Sequence, residues 1–261
     1  MSKAKPLIGF DRYVEKAWMD RAAQVAAEGI SISEANDSLD EYLLQSISGE
    51  TSRRKTKNIL TATWLKAAVV EEAFKKEAVN LFANANNSER LAVHYGICIA
   101  TYPFFLSLGK ILGRLFKLQD EITNAEFQRR VIESNGDTDS IKRAAARYLQ
   151  SLLEWGVIAS SGKGVIYPST KIQLNNAELI TWLYGSVFYS SDRERLSIDD
   201  IASDPVWFPF EIPHGYFNVS KSKFIEVVHQ GVGETLVSLK MTPRELNCRK
   251  VLIKSKNTVS L

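Results

Sequence analysis

The side chains best suited to chemistry are cations that recur at helical spacing between residues 140 and 155. Lys142, Arg143 and Arg147 fall on one side of the helix predicted there, and Ser140 stands near its start. Cationic side chains, and a hydroxyl or backbone amide at a helix start, are groups that bind phosphate. These residues therefore favour contact with a nucleic-acid backbone. The alternative is that they form only the solvated side of an amphipathic helix.

A second cationic cluster lies at the start of another predicted helix. It places four cations within five residues: Arg53, Arg54, Lys55 and Lys57. Each cation at a helix N-terminus destabilises the helix by a few tenths of a kcal/mol or more, because it lies at the positive end of the macrodipole. This unfavourable placement predicts a phosphate-binding role, whose contribution to affinity would be independent of sequence and dependent on salt. The alternative is a charged helix start exposed to solvent.

Motifs that would indicate an enzyme are missing from the sequence. Residues 161–164 read Ser-Gly-Lys-Gly, which lacks the spacing of a phosphate-binding loop. His94 and Cys98 stand four residues apart, but no second pair of metal ligands accompanies them, and His214 and His229 have no neighbours at ligand spacing. We therefore predict no catalytic residues, no metal and no cofactor. An enzyme of unrecognised type remains the alternative.

Composition is compatible with an ordinary globular protein. The chain has 261 residues, of which 45% are hydrophobic and 24% charged, and its formal net charge is +3. This charge permits nucleic-acid binding without requiring it. The two cysteines, Cys98 and Cys248, belong to no paired motif, which favours a reducing compartment. We expect a soluble, cytoplasmic protein.

The most apolar stretch of the chain runs from Leu91 to Leu108. A membrane span is one interpretation, since the stretch is about long enough to cross a bilayer. However, His94 and Pro103 interrupt it and charged residues flank it. Two buried helices, the second beginning near Pro103, are the preferred prediction.

The segment 103–174 predicts three helices followed by a β-hairpin. The first helix covers 104–118, and Thr123 with Glu126 is expected to form a capping box at the start of the second. The third helix, 140–155, has one apolar side. Strands then flank a turn at 160–164, with Lys163 at its tip. This order of elements is that of a winged helix-turn-helix, in which the third helix lies in the major groove and the hairpin reaches the neighbouring backbone.

The remaining segments complete a mainly α fold class. The predicted order is a helical N-terminal domain (1–90), the winged helix-turn-helix (91–174), a small α+β unit (175–240) and a basic tail (241–261). Within the third part we predict helices at 177–188 and 220–229 and a strand at 234–240, which could form a second, degenerate winged helix. Residues 240–261 carry six Lys or Arg and one Glu, so the tail could add non-specific attraction to DNA or only solubility.

Several of these stretches resemble a known family. The residues concerned read TSRRKTKNI at 51–59, YGICIATYPFFLSLGKILGRLF at 95–116, EITNAEFQRRVIE at 121–133 and TDSIKRAAARYLQSLLEWGVI at 138–158. Together they resemble BrxA, the small accessory protein of bacterial BREX anti-phage systems. The resemblance covers roughly residues 30–215, and this chain extends beyond it at the C-terminus.

The resemblance implies a compact helical protein that binds double-stranded DNA and has no active site. It also implies partners in an antiviral defence locus, namely a methyltransferase, an ATPase and a phosphatase-like protein. The DNA-binding positions carried over are basic residues already identified from periodicity: Arg53, Arg54, Lys142, Arg143 and Arg147.

The sequence thus predicts a non-enzymatic DNA-binding protein of phage resistance with little sequence specificity, because it offers no obvious pair of Asn or Gln side chains for reading bases. Two alternatives remain open. The winged helix could dock on a larger protein of a defence complex, or the protein could be a transcriptional repressor of its own operon.

Overall fold

A computed structural model describes residues 8–68, 71–191, 193–213, 222–229, 235–241, 245 and 248–251. The fold is mainly helical, as predicted. The helices are α1 (Lys16–Glu28), α2 (Ile32–Leu44), α3 (Glu50–Leu60), α4 (Glu72–Asn84), α5 (Asn87–Thr101), α6 (Pro103–Leu118), α7 (Asn124–Asn135), α8 (Asp139–Glu154), α9 (Ala177–Tyr189) and α10 (Ile198–Ala202). The strands are β1 (Ile122–Thr123), β2 (Ile158–Gly162), β3 (Val165–Pro168), β4 (Ile172–Gln173), β5 (Arg195–Ser197), β6 (Phe210–Glu211), β7 (Ile225–His229) and β8 (Thr235–Leu239).

The first helices follow their sequence signals closely. Ser31 caps α2, and Glu34 completes a capping box with it. The sequence predicts a helix over residues 10–29, but α1 begins at Lys16. Residues 10–15 are not helical and place Phe10 and Val14 in the core. This short segment contacts α8.

Apolar residues at helical spacing predict that the helix opened by residues 51–57 runs through 69, but α3 ends at Leu60. After Leu60 the backbone widens into a π-helical turn, Thr61–Leu65. The buried ammonium group of Lys75 donates hydrogen bonds of 2.6 Å to the carbonyl oxygens of Ala62 and Lys66. A cation from α4 therefore satisfies carbonyl groups at this helix end, a contact that local sequence does not reveal.

The apolar stretch at 91–108 forms two helices, as predicted. The axes of α5 and α6 are bent by 119° at the break between them, and Pro103 occupies the first turn of α6. Every residue from Leu91 to Ala100 is buried. In the part of the chain that the structure describes, no single helix is long and apolar enough to cross a membrane. The bent pair α5–α6, taken together, has the length and composition of a membrane span.

Glycines on α6 allow a close approach to the short 3-10 helix Pro205–Trp207. A Cβ atom at Gly113 would lie 1.9 Å from the carbonyl oxygen of Pro205, and one at Gly109 would lie 2.8 Å from a methyl carbon of Val206. The hydroxyl of Tyr95 on α5 also donates to the carbonyl of Val206 at 3.1 Å. The segment after α10 is thus locked against the α5–α6 pair.

Two small antiparallel sheets share one strand order. In the first, β3 lies between β1 and β2; in the second, β8 lies between β5 and β7. A third pair, β4 with β6, is parallel. The helix predicted at 220–229 is wrong: residues 225–229 form β7, which pairs with β8 along its whole length. The β-branched residues Ile225, Val227 and Val228 suit a strand better than a helix.

The basic tail is partly integrated into the fold. Arg249 is buried, and its guanidinium group donates to the carbonyl oxygens of Phe188, Ser191 and Arg193 at the end of α9. Lys250 forms an ion pair with Glu194. One continuous cluster of buried hydrophobic side chains includes members of every helix from α1 to α10, and the predicted domain boundaries stay predictions.

Candidate nucleic-acid interface

Helix α8 has the amphipathic form that its sequence predicts. Thr138 caps it by accepting a hydrogen bond from the backbone amide of Ile141 at 3.3 Å. The apolar side is buried against neighbouring elements, with only Leu153 partly exposed: Ile141, Ala145, Tyr148, Leu149 and Leu152 are buried. The opposite side of the helix is consequently fixed towards solvent.

The cations predicted on α8 differ in how free they are. Arg143 and Arg147 are exposed, and Arg147 donates to the amide oxygen of Gln150 at 2.7 Å. Lys142 instead forms a 2.5 Å ion pair with Asp137, whose hydrogen bond and charge raise the pKa of Lys142. Ser140 is exposed in the first turn. A polyanion approaching this side therefore meets Arg143 and Arg147 first.

The far end of α8 is anchored by the segment that precedes α1. The backbone amide of Val14 donates to the Ser151 hydroxyl at 2.9 Å, and the Trp155 indole donates to the carbonyl of Val14 at 2.9 Å. The amide of Lys16 donates to the carboxylate of Glu154 at 2.7 Å. These long-range bonds fix the orientation of α8 relative to the segment that precedes α1.

The β2–β3 hairpin presents Lys163 at its tip. Lys163 is exposed with a φ of +49°, between Gly162 and Gly164, whose φ angles are +90° and +76°. Such angles suit glycine and are costly for other residues. The backbone amide of Asn124 donates to the carbonyl of Gly164 at 2.8 Å. The hairpin tip is therefore fastened to the start of α7.

The start of α7 departs from its predicted cap in one respect. Thr123 accepts a hydrogen bond from the amide of Glu126 at 3.1 Å, as expected. However, the carboxylate of Glu126 accepts from the side chain of Gln119 at 3.1 Å. The predicted capping box therefore has only its first half, because a neighbouring amide engages the glutamate.

The basic cluster at the start of α3 is split between two environments. Arg53 and Lys57 both pair with Asp40 on α2, at 3.0 and 2.9 Å. These hydrogen bonds lower the pKa of the Asp40 carboxyl group, and the bond from Lys57 has the larger effect. Arg54 and Lys55 are exposed. The phosphate-binding role predicted for all four stays a prediction.

The sequence reasoning missed three amide side chains, one of which, Gln150, accepts a hydrogen bond from Arg147. Asn124 and Gln128 on α7 and Gln150 on α8 line a pocket of about 130 Å³ between the two helices. Its other lining residues include Phe127 and Ala146. Asn124 and Gln128 stand four residues apart on one helix, a signal that could have identified them from sequence.

The possible metal ligands of α5 have ordinary structural roles. His94 is fully buried, and its Nε2 lies 2.9 Å from the carboxylate of Asp20. Cys98 is also buried, which raises the pKa of its thiol. Among the residues that the structure describes, no group of three or more His, Cys, Asp or Glu side chains could hold a metal.

Comparison with models of protein families, with curated proteins and with solved structures found no match to this chain.

Proposed function

We propose that this protein binds double-stranded DNA through a winged helix-turn-helix formed by α6, β1, α7, α8, β2 and β3. In this proposal α8 lies in the major groove, Arg143 and Arg147 contact phosphates, and Lys163 on the hairpin contacts the adjacent backbone. The protein performs no chemistry on the DNA. The single observation that carries the proposal is the exposure of Arg143 and Arg147 on a helix whose opposite side is buried.

The connectivity supports this assignment. The order helix, strand, helix, helix, strand, strand is that of a winged helix, and the strand order β1-β3-β2 places the hairpin beside the second and third helices. The sheet β5-β8-β7, which accompanies α9 and α10, repeats this strand order. We therefore propose that these elements form a second, degenerate winged helix, for which the described residues provide no long third helix.

We further propose that the protein is an accessory component of a bacterial BREX-like anti-phage system. This rests on the resemblance to BrxA described above, and its expected partners are the methyltransferase, ATPase and phosphatase-like components of such a system. The test is deletion of the gene in a host that carries the locus. Phage plating should rise in the deletion strain, and complementation with the variant carrying Arg143→Glu and Arg147→Glu should not restore resistance.

DNA binding is tested by fluorescence anisotropy with a labelled duplex over a salt series. We expect affinity to fall steeply with salt, since each phosphate that the protein neutralises contributes about one to the slope of log K against log salt. The variant Arg143→Glu, Arg147→Glu should not bind the duplex at any salt concentration. The matched control is Lys66→Glu, Lys76→Glu, which makes the same change in charge at exposed residues on other elements.

Two outcomes would contradict the proposal. Wild-type protein that retains no duplex even at low salt would favour a protein-docking role for the winged helix. Equally weakened binding in both double variants would show that net charge, rather than the α8 surface, governs the interaction.

A further inference from the structure

We infer that the α7–α8 surface reads bases as well as phosphates, and that Asn124, Gln128 and Gln150 recognise an A·T base pair in the major groove. This inference rests on the proposed DNA-binding function and makes it sequence-dependent. It differs from the expectation of little specificity, because the packing of α7 against α8 brings Gln150 to the same pocket as Asn124 and Gln128.

The pocket between α7 and α8 has two kinds of lining. Its polar side chains are the three amides, while Phe127, Ala145 and Leu149 form an apolar floor. Ala146, which also lines the pocket, is exposed. An apolar floor beside amides matches the major-groove edge of an A·T pair, because adenine offers a donor and an acceptor and thymine offers a methyl group.

The amides have hydrogen-bonding capacity left for a base. No protein group in the described part of the chain bonds the side-chain amide of Asn124 or Gln128, so each retains both an oxygen and an NH2 group. That combination forms the paired hydrogen bonds to N6 and N7 of adenine. The oxygen of Gln150 accepts from Arg147, which orients Gln150 and leaves its NH2 group free to donate.

Position on the surface supports base contact over a purely structural role. Gln150 follows Arg147 and Arg143 by about one and two turns along the exposed side of α8. Asn124 lies at the hairpin tip, since its backbone amide bonds the carbonyl of Gly164, next to Lys163. Gln150 therefore adjoins the cations of α8, and Asn124 adjoins the hairpin tip that carries Lys163, the groups that the proposed function places on phosphates.

The experiment begins with selection of duplexes from a randomised pool by wild-type protein at moderate salt. We expect enrichment of a site that contains an A·T pair. The enriched duplex is then remade with 7-deazaadenine, which lacks N7, or with uracil in place of thymine, which lacks the methyl group. Each change at the recognised pair should weaken binding by about fivefold or more.

Variants separate base reading from phosphate contact. Asn124→Ala combined with Gln128→Ala should reduce the preference for the selected duplex over a scrambled one by about tenfold, while the affinity for the scrambled duplex and its salt slope stay unchanged. Arg143→Ala, which leaves the bond between Arg147 and Gln150 in place, should weaken both duplexes alike. Circular dichroism melting confirms that each variant is folded.

Three results would overturn the inference. If wild-type protein binds duplexes tightly but enriches no site, the DNA-binding function stands and base reading fails. If the variant Asn124→Ala, Gln128→Ala keeps the preference for the selected duplex over the scrambled one, DNA binding again stands and base reading fails. If wild-type protein binds no duplex, both the proposed function and this inference fail.

Discussion

At the scale of single residues, Lys163 combines a strained backbone with a charge that we propose contacts DNA. Its φ of +49° is unfavourable for lysine, whereas asparagine tolerates this region. Lys163→Asn should therefore raise the free energy of unfolding by up to about 1 kcal/mol and lower the salt slope of DNA binding by about one. Urea unfolding and anisotropy measure the two effects.

The control for this change is Lys163→Arg, which keeps both the charge and the strain. It should leave stability and DNA binding close to wild type. Reduced stability in Lys163→Asn would show that the lysine side chain stabilises the hairpin in a way that outweighs its backbone strain.

His94 should make stability depend on pH. Burial lowers the pKa of His94, and this outweighs the hydrogen bond and charge of Asp20, which raise it. The unfolded chain therefore binds the proton more readily, near the ordinary pKa of about 6.5. Stability is therefore independent of this group well above that pH and decreases as pH falls below it, since protonation favours the unfolded state.

Urea unfolding at several pH values tests this expectation. His94→Gln retains a hydrogen-bond donor for Asp20 but cannot take up the proton, so the free energy of unfolding should change less between pH 7 and 5 than in the wild type. An unchanged pH slope in the variant would assign the dependence to other groups.

Residue types alone predicted which side chains of α8 are exposed, but not their partners. Arg143 and Arg147 lie where helical periodicity places them. Arg53 and Lys57 do not remain free, because Asp40 on another helix pairs with both. This pairing depends on how α2 packs against α3. It was not predictable from the sequence, in which the acid nearest to Arg53 and Lys57 is Glu50 rather than Asp40.

At the scale of elements, Gly113 controls how α6 meets the Pro205–Trp207 turn. On helix propensity alone, Gly113→Ala should stabilise α6 by about 1 kcal/mol. The structure predicts the opposite sign, because the added Cβ would lie 1.9 Å from the backbone oxygen of Pro205. We expect the free energy of unfolding to fall by about 3 kcal/mol, since backbone must shift to relieve the clash.

Thermal unfolding compares this variant with Arg114→Ala, the next residue of the same helix, which is exposed. Arg114→Ala should change stability by less than about 0.5 kcal/mol. A stabilised Gly113→Ala protein would show that the turn at 205–207 moves away from α6 at little cost.

Helix positions were predictable where an amphipathic period persists, as in α6, α7 and α8. The failures have specific physical causes. The end of α3 depends on Lys75, which satisfies carbonyl groups from a separate helix. Residues 225–229 form a strand because β8 pairs with them. A short segment with mixed propensity is decided by such a partner, which periodicity does not reveal.

At the scale of the whole molecule, the C-terminal residues stabilise the end of α9. Arg249→Ala should lower the free energy of unfolding by about 2 kcal/mol or more, because it removes the donor to three carbonyl groups near Phe188. The control is Lys250→Ala, which breaks a half-exposed ion pair with Glu194 and should cost less than about 1 kcal/mol. Equal effects would mean that the tail contributes only surface charge.

Sequence composition indicated a basic tail but not its integration. Six cations among 22 residues suggested solvent exposure or DNA attraction, yet Arg249 is 2% exposed. Burial of an arginine against helix-end carbonyls depends on contacts across about 60 residues, so no local pattern predicts it. The mainly α class, in contrast, follows from the many amphipathic and apolar segments.

The anchoring of α8 by Val14 and Lys16 has a practical consequence for mapping a bound duplex. Ala17 is exposed directly after this junction, so a fluorophore on Ala17→Cys would report from the far end of α8. Cys98 is buried and Cys248 exposed, so Cys248→Ser leaves one reactive thiol. Energy transfer to dyes on either end of a short DNA would then establish in which direction the double helix runs across the protein.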